Sequence, residues 1–303
     1  MVRLDLKRID GNTVGSDSCV KFSFIKDYYT PYTLLSCVFI FDSVSELPVS
    51  EVMLYIDGKF VHHGLLDTMD CKRWGTHYQV TVKSRGFTSL LLQNNIEPVG
   101  IVENMSLDAL MGTLSLPYVT HEYNSDANNY IFIEEKTIIW DAIINLAYKL
   151  TGGFPYIDGT NNVRITANPG PVSVLVSEKR VITQGFSHNN TKMMSRYYMQ
   201  DPLSEQGYGF VCDNFDATLR NIKREKYLPL DRRFLYSPET ALTFRTDRDM
   251  NGNFVRYCEY IGYCGEDLMD LLTVENYISE LRITGIAVTG SAGTIRTAVS
   301  AIE

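Results

Sequence analysis

Six positive charges crowd into "RNIKREKYLPLDRR" (220–233): Arg220, Lys223, Arg224, Lys226, Arg232 and Arg233, set against Glu225 and Asp231. Charge runs are ordinarily solvated faces. The sharper reading is a docking segment for an acidic surface, where complementary charge selects and orients a partner more than it tightens the complex. Other residues capable of chemistry fall short of a site. "DRDMNGNF" (247–254) opens like a calcium loop, but Cys258 stands where the bidentate glutamate belongs and Glu259 comes one residue late. An Asn-Gly hairpin turn after a strand is the expectation there. His62 and His63 stand near Asp67, and Cys71 near His77, so a nucleophile–base pair can be drawn. Neighbouring strand residues point to opposite faces, which predicts one packed and one solvated histidine instead. "GSAGT" (290–294) lacks the lysine of a phosphate loop and reads as a turn. Glu134 and Glu135 precede a helix and favour its positive end. No catalytic residue, metal site or cofactor is expected, and the chain is not expected to be an enzyme.

Composition narrows the partners. A formal net charge of −8 argues against a general nucleic-acid binder, which shows a basic excess. Nineteen tyrosines and fourteen phenylalanines suit β-structure and protein–protein contact, since these rings cover much area with few rotatable bonds. Tyr28, Tyr29 and Tyr32 surround Pro31, either as a contact patch or as the edge of a core. The opening MVRLDLKRID alternates charge with aliphatic residues, unlike a signal peptide. The longest apolar run, residues 34–41, is far below the ~20 residues of a membrane helix, so no membrane anchor is expected. Asn104 and Asn189 match glycosylation sequons, with no secretory route to use them. Cysteines 19, 37, 71, 212, 258 and 264 lack CxxC spacing and read as reduced and mostly buried.

The elements fall into three blocks. Residues 1–86 read as strands: Val2, Leu4 and Leu6 alternate with charges, as do Val20, Phe22 and Phe24. "VMLYIDGKFVHHG" (52–64) predicts a hairpin around Asp57-Gly58, and "YQVTVKS" (78–84) another strand. Residues 87–170 read as α/β, with helical patterns over 88–93 and 106–114, the latter stopped by Pro117. "KTIIWDAIINLAYKLTGGFPYIDGTNNVRIT" (136–166) is a compact helix and hairpin. Ile139, Ile143, Leu146, Ala147 and Leu150 form its inner face, and Asp141, Asn145, Tyr148 and Lys149 the opposite one. Thr137 is the expected cap, and Gly152-Gly153 the helix end. Asn168-Pro169-Gly170-Pro171 bounds the block. Residues 171–303 return to β-patterning, interrupted by a polar, irregular stretch at 204–253. A helix over 266–281 is predicted, with Leu268, Leu271, Val274, Ile278 and Leu281 inward, before two closing strands joined by Gly-Ser-Ala-Gly.

Three stretches carry a likeness: "EVMLYIDGKFVHHGLLDTMDCKRWGTHYQVTVKSRGFTSLL" (51–91), the unit at 136–166 with its helix starting near Trp140, and "ELRITGIAVTGSAGTIRTAVSAI" (280–302). In the order β, α/β, β they resemble the baseplate hub proteins of contractile-tailed phages and phage-like injection machines, the Mu-type tail hub and late-control protein D family. The resemblance implies a mainly β fold with an α/β insert. Its parts are a tail-tube-like barrel at 1–86, an α/β connector at 87–170, and a second barrel at 171–303 with an insertion around 204–253. It further implies a homotrimer whose six barrels join a sixfold tail tube to a threefold central spike. Expected partners are the tail-tube or tube-initiator protein, the spike, other baseplate proteins and the tape-measure protein, without specific nucleic-acid binding. Such a chain is made in the host cytoplasm and assembled into the particle. The basic run would then face a neighbouring tail protein or the next hub subunit. The chain departs from the family in being short, no appended lysozyme or needle domain is expected, and 204–253 matches no family motif. A β-rich receptor- or glycan-binding tail module is the alternative. A cell-wall enzyme has no carboxylate pair or metal triad to rest on.

Overall fold

The computed structural model describes residues 1–97, 99–167, 169–203, 205, 207–291 and 293–302, without the side chain of residue 129. Asn168 at the expected boundary, Ser204 at the start of the expected insertion, Ala292 in the closing turn and Glu303 lie outside the described residues. The first part is all strand. It comprises β1 (Val2–Arg8), β2 (Thr13–Ser16), β3 (Ser18–Asp27), β4 (Leu34–Phe41), β5 (Val49–Ile56), β6 (Lys59–Trp74) and β7 (His77–Gly86). In β1, Val2, Leu4 and Leu6 are buried while the charged residues between them reach the rim, as strand alternation requires. The β5–β6 turn places Asp57 at φ 49° and Gly58 at φ 78°, the left-handed pair that an Asp-Gly type I′ turn supplies.

The α/β part contains α1 (Leu90–Gln93), β8 (Gly100–Met105), α2 (Leu107–Gly112), β9 (Thr120–His121), β10 (Asn128–Ile133), α3 (Ile139–Thr151), β11 (Tyr156–Asp158) and β12 (Asn162–Arg164). Ser106 caps α2, its hydroxyl accepting from the Ala109 N–H at 3.1 Å. The inward face of α3 packs Ile139, Ile143, Leu146 and Ala147 against Leu107, Leu110, Ile131 and Val163. Gly152, at φ 70°, ends the helix as expected. Thr137 does not cap it: Ile138 occupies that position and no side chain accepts there. The opposite face departs further, since Asn145 and Tyr148 are both buried. Another piece of the chain covers them.

That piece lies inside the last third, whose elements are β13 (Ser173–Val176), β14 (Val181–His188), β15 (Arg196–Met199), β16 (Phe210–Asp213), α4 (Phe215–Leu219), β17 (Glu225–Leu228), α5 (Pro238–Met250), β18 (Phe254–Ile261), β19 (Leu271–Val274), β20 (Ile278–Ser291) and β21 (Thr294–Ile302). The stretch read as irregular holds β16, α4, β17 and α5. Strands β16, β15 and β17 form a small sheet, and α5 packs on it through Ala241, Leu242 and Phe244, in one cluster with Tyr197, Met199, the preceding Phe234 and Tyr148 of α3. So few inward residues hide α5 in a polar sequence, although Ser237-Pro238 is a proper helix start. Asn251-Gly252 accordingly follows a helix and leads into β18; it is not a hairpin turn. The helix expected over 266–281 is also absent. Met269, Asn276 and Glu280 take positive φ, which breaks any helix; Leu271 and Val274 fall in β19, Ile278 and Leu281 in β20, and Leu268 in the loop before them.

One sheet runs through both β parts, in the order β14-β18-β21-β20-β3-β4-β7-β6-β5-β1-β2, with β19 on β20 and β13 on β19. The seam is the antiparallel pairing of β20 with β3, from Gly285↔Asp27 to Ser291↔Lys21. A single apolar core beneath it gathers Leu4, Phe24, Phe39, Leu54 and Val82 with Tyr260, Leu272, Ile286 and Val299. At about 1.5–3 kcal/mol for each large apolar side chain, this core dominates the fold.

Candidate partner-binding surfaces

The helix–hairpin unit at 136–166 is bolted to both β parts. Lys26, on β3, is buried; its ammonium pairs with the Asp267 carboxylate and donates to the Gly159 carbonyl at 2.6 Å. Asp267 accepts in turn from the Gly159 N–H at 2.6 Å. Tyr28 donates its hydroxyl to the Phe154 carbonyl at 2.9 Å and stacks on Tyr156, with centroids 5.4 Å apart. Asn161 donates to the His63 carbonyl at 3.1 Å. These contacts fasten the unit to β3, to β6 and to the loop before β19. They also settle two open alternatives: Tyr28 belongs to a core edge, while Tyr29 is exposed.

Both histidines sit in packed surroundings. The His62 ring is fully buried, with Nδ1 2.7 Å from the Thr33 hydroxyl and Nε2 2.8 Å from Ser84. Burial pushes its pKa down to about 3, and the neighbouring His63 adds to that effect. His63 is not solvated as expected, since it packs among Phe60, Phe87 and Tyr118 and meets Glu51 at 2.8 Å. Burial alone would raise Glu51, but hydrogen bonds from Lys7, His63 and Tyr118 outweigh it and hold its pKa at about 2. Cys71 and His77 do not pair: Cys71 lies opposite Val80, and His77 faces Asp42 at 3.1 Å. Cys37 and Cys258 are buried, Cys19, Cys212 and Cys264 partly so, and Cys71 is exposed; all six are free, so the expectation of mostly buried thiols holds for two alone. Among the described residues, no three His, Cys, Asp or Glu side chains gather closely enough to hold a metal.

The basic run divides into two groups. Arg220, at the C-terminus of α4, reaches Asn190 at 3.1 Å, while Lys223 and Lys226 are exposed. Arg224 donates to the carbonyls of Asn190 and Thr191 at 2.8 and 2.9 Å, so its charge serves the local fold. Arg232 and Arg233 turn the other way, toward α3. Arg233 is half-buried and pairs with Asp231 at 2.6 Å, while Arg232 stays exposed beside Phe132. There they meet Arg245 and Arg248 of α5 around a cleft of about 380 Å³. Sequence reasoning missed these last two; their signal was the Ser237-Pro238 helix start.

No protein-family model matches the chain, and no curated protein sequence matches it. Solved structures do. A tail protein from Neisseria meningitidis MC58 is 15% identical with a TM-score of 0.74, the match covering 100% of this chain and 96% of that one. The 43 kDa tail protein of prophage MuSo2 from Shewanella oneidensis is 14% identical with a TM-score of 0.75, covering 99% and 98%. The chain has the fold of a phage tail protein. A component of the E. coli type VI secretion system, itself similar in structure to bacteriophage T4 tail proteins, matches more loosely, at 9% identity, TM-score 0.55, and coverage of 94% and 73%. The mainly β architecture with its α/β part is thus shared along the whole chain.

Within this tail-protein fold the sheet order ends at β14 and at β2. Among the described residues strand β14 pairs with β18 alone, and its Ile182 and Phe186 are exposed, Phe186 at 62%. Unpaired strand edges with apolar side chains are templates for association.

Proposed function

We propose that the chain is a structural baseplate hub of a contractile phage tail or phage-like injection particle. In this reading it is a homotrimeric adaptor between the sixfold tube and the threefold central spike, and it performs no catalysis. The observation that carries the reading is the match in fold to two tail proteins over essentially the full length of all three chains. Residues 1–86 and 171–303 are read as two tube-like barrels, so three copies present six. The connector at 87–170 is the bracket that fixes one barrel against the other, and its work is geometric. Tube or tube-initiator protein, spike, other baseplate proteins and tape-measure protein are the partners, met in the host cytoplasm during assembly. The exposed charges Arg220, Lys223 and Lys226, with Arg232 and Arg233 behind them, are read as a docking strip for an acidic neighbour.

A head-to-tail ring needs an edge that accepts the next copy, and the open strand β14 supports that requirement. Native mass spectrometry and image reconstruction of the particle test the reading. A threefold assembly is expected, and Ile182→Asp with Phe186→Asp should abolish it while the circular dichroism of the chain stays unchanged. A stable dimer, or a sixfold ring of this chain, would overturn it.

A further inference from the structure

The cleft between α3 and the 189–253 subdomain holds more positive charge than the fold uses. Four guanidinium groups line it, Arg232, Arg233, Arg245 and Arg248, against Glu134, Asp141 and Asp231. Asp231 accepts from Arg233 at 2.6 Å and from Arg245 at 3.3 Å, so one carboxylate is shared between two cations. Arg232 and Arg248 are exposed, and neither has a carboxylate at ion-pair distance among the described residues. Beneath them the floor contains polar atoms without partners. Asn145 is 2% exposed, and neither its amide nitrogen nor its oxygen is hydrogen-bonded. The Nε of Arg245 is likewise buried and unpaired. Buried polar groups are nearly always satisfied, so each unpaired one calls for a partner, such as a water, an ion or a ligand.

We propose that this cleft binds an acidic peptide segment of a partner protein, with Arg232 and Arg248 clamping an aspartate or glutamate side chain. Planar guanidinium groups match a carboxylate in a two-pronged geometry that lysine cannot offer. Three carboxylates lining the same cleft disfavour a dianion such as phosphate, whereas a single carboxylate leaves the charge near balance. The carboxamide of Asn145, among the cleft-lining residues, carries both N–H donors and an acceptor oxygen, the complement of a peptide unit. The proposal deepens the docking role of 220–233 at its second half, and it stands apart from the first half, since Arg220, Lys223, Arg224 and Lys226 do not line the cleft.

The test titrates the full chain with the peptide Ac-Glu-Glu-Glu-Glu-NH2 by calorimetry, with inorganic phosphate and the matching lysine peptide as controls. The glutamate peptide should bind, and Arg232→Ala with Arg248→Ala should weaken it by about tenfold or more. The lysine replacements Arg232→Lys with Arg248→Lys keep the charge and should still lose most of the affinity, which guards against a variant that simply misfolds. Lys72→Glu with Lys83→Glu, at exposed lysines of β6 and β7 outside the cleft, should leave peptide affinity unchanged. No binding of the glutamate peptide, or equal binding of phosphate, overturns the proposal. Equal loss in the Lys72/Lys83 variant also overturns it, by making the attraction one of general surface charge, and in that case the hub reading, carried by the fold, survives.

Discussion

Acidification should unfold this protein through His62. The ring is completely buried between Thr33 and Ser84, with the edge of Phe24 against it, and it is neutral in the fold. Burial carries its pKa from the usual 6.5 to about 3; His63 lowers it further and Asp67 opposes with a smaller effect. The unfolded chain therefore takes up a proton below pH 6.5 that the folded chain refuses. Stability must fall as pH drops from 6.5 toward 3, by about 1.4 kcal/mol per pH unit once that proton is fully bound in the unfolded state. Between pH 6.5 and 5 the loss comes to about 2 kcal/mol at most. Glu51 adds to it at lower pH: its stabilisation is whole above the usual 4.5 and disappears as pH falls through about 2. The upper window thus isolates the histidine from Glu51. Urea unfolding of the native chain and of His62→Gln at pH 7 and pH 5 measures the effect. The variant should be less stable at pH 7 but should lose less on acidification. An identical pH dependence in both proteins would refute the reasoning.

Gly290 lies across the seam from Phe22, and a Cβ there would sit 2.2 Å from the phenylalanine ring. Gly290→Val should lower stability by about 1–3 kcal/mol in thermal unfolding, and Phe22→Ala added to it should recover less than additive damage. Tyr148 joins α3 to the small subdomain through Phe154, Phe234 and Phe244. Tyr148→Ala should cost about 3–5 kcal/mol, and amide exchange should rise first within 189–253 while the β sheet stays protected. Uniform exchange along the chain would contradict that division.

Short-range signals were legible. The alternation in β1, the Asp57-Gly58 turn and the apolar face of α3 with its Gly152 terminus depend on residues a few positions apart, and the sequence displays them directly. What escaped depends on distant partners. Leu268, Leu271, Val274, Ile278 and Leu281 fit a helical face, and only the pairing of β19 with β13 and β20 makes strands of that stretch. Helix α5 turns three residues inward, too few to rise above its charged sequence. Asn145 and Tyr148 look solvent-facing until a subdomain some fifty residues away covers them. The basic run was visible as charge, but Arg224 and Arg233 are claimed by carbonyls and by Asp231, which no local pattern announces. A fold shared at 14–15% identity leaves its trace in turns and hydrophobicity, not in shared residues.

The seam between β3 and β20 has a consequence for synthesis. Strand β3 leaves the ribosome long before β20, one of its two hydrogen-bonding neighbours, so that edge stays bare until all the residues between them have emerged. Contacts so far apart in sequence form slowly, and a bare edge recruits other chains in the interval. Lys26, on the same strand, also waits for Asp267 before its charge is matched in the interior. A product that stalls before β20 thus retains both an adhesive edge and a burial penalty, which marks it for chaperones and proteases. Chains that close the seam lose both marks in the same event, so only finished copies present a quiet β3 edge to an assembling particle.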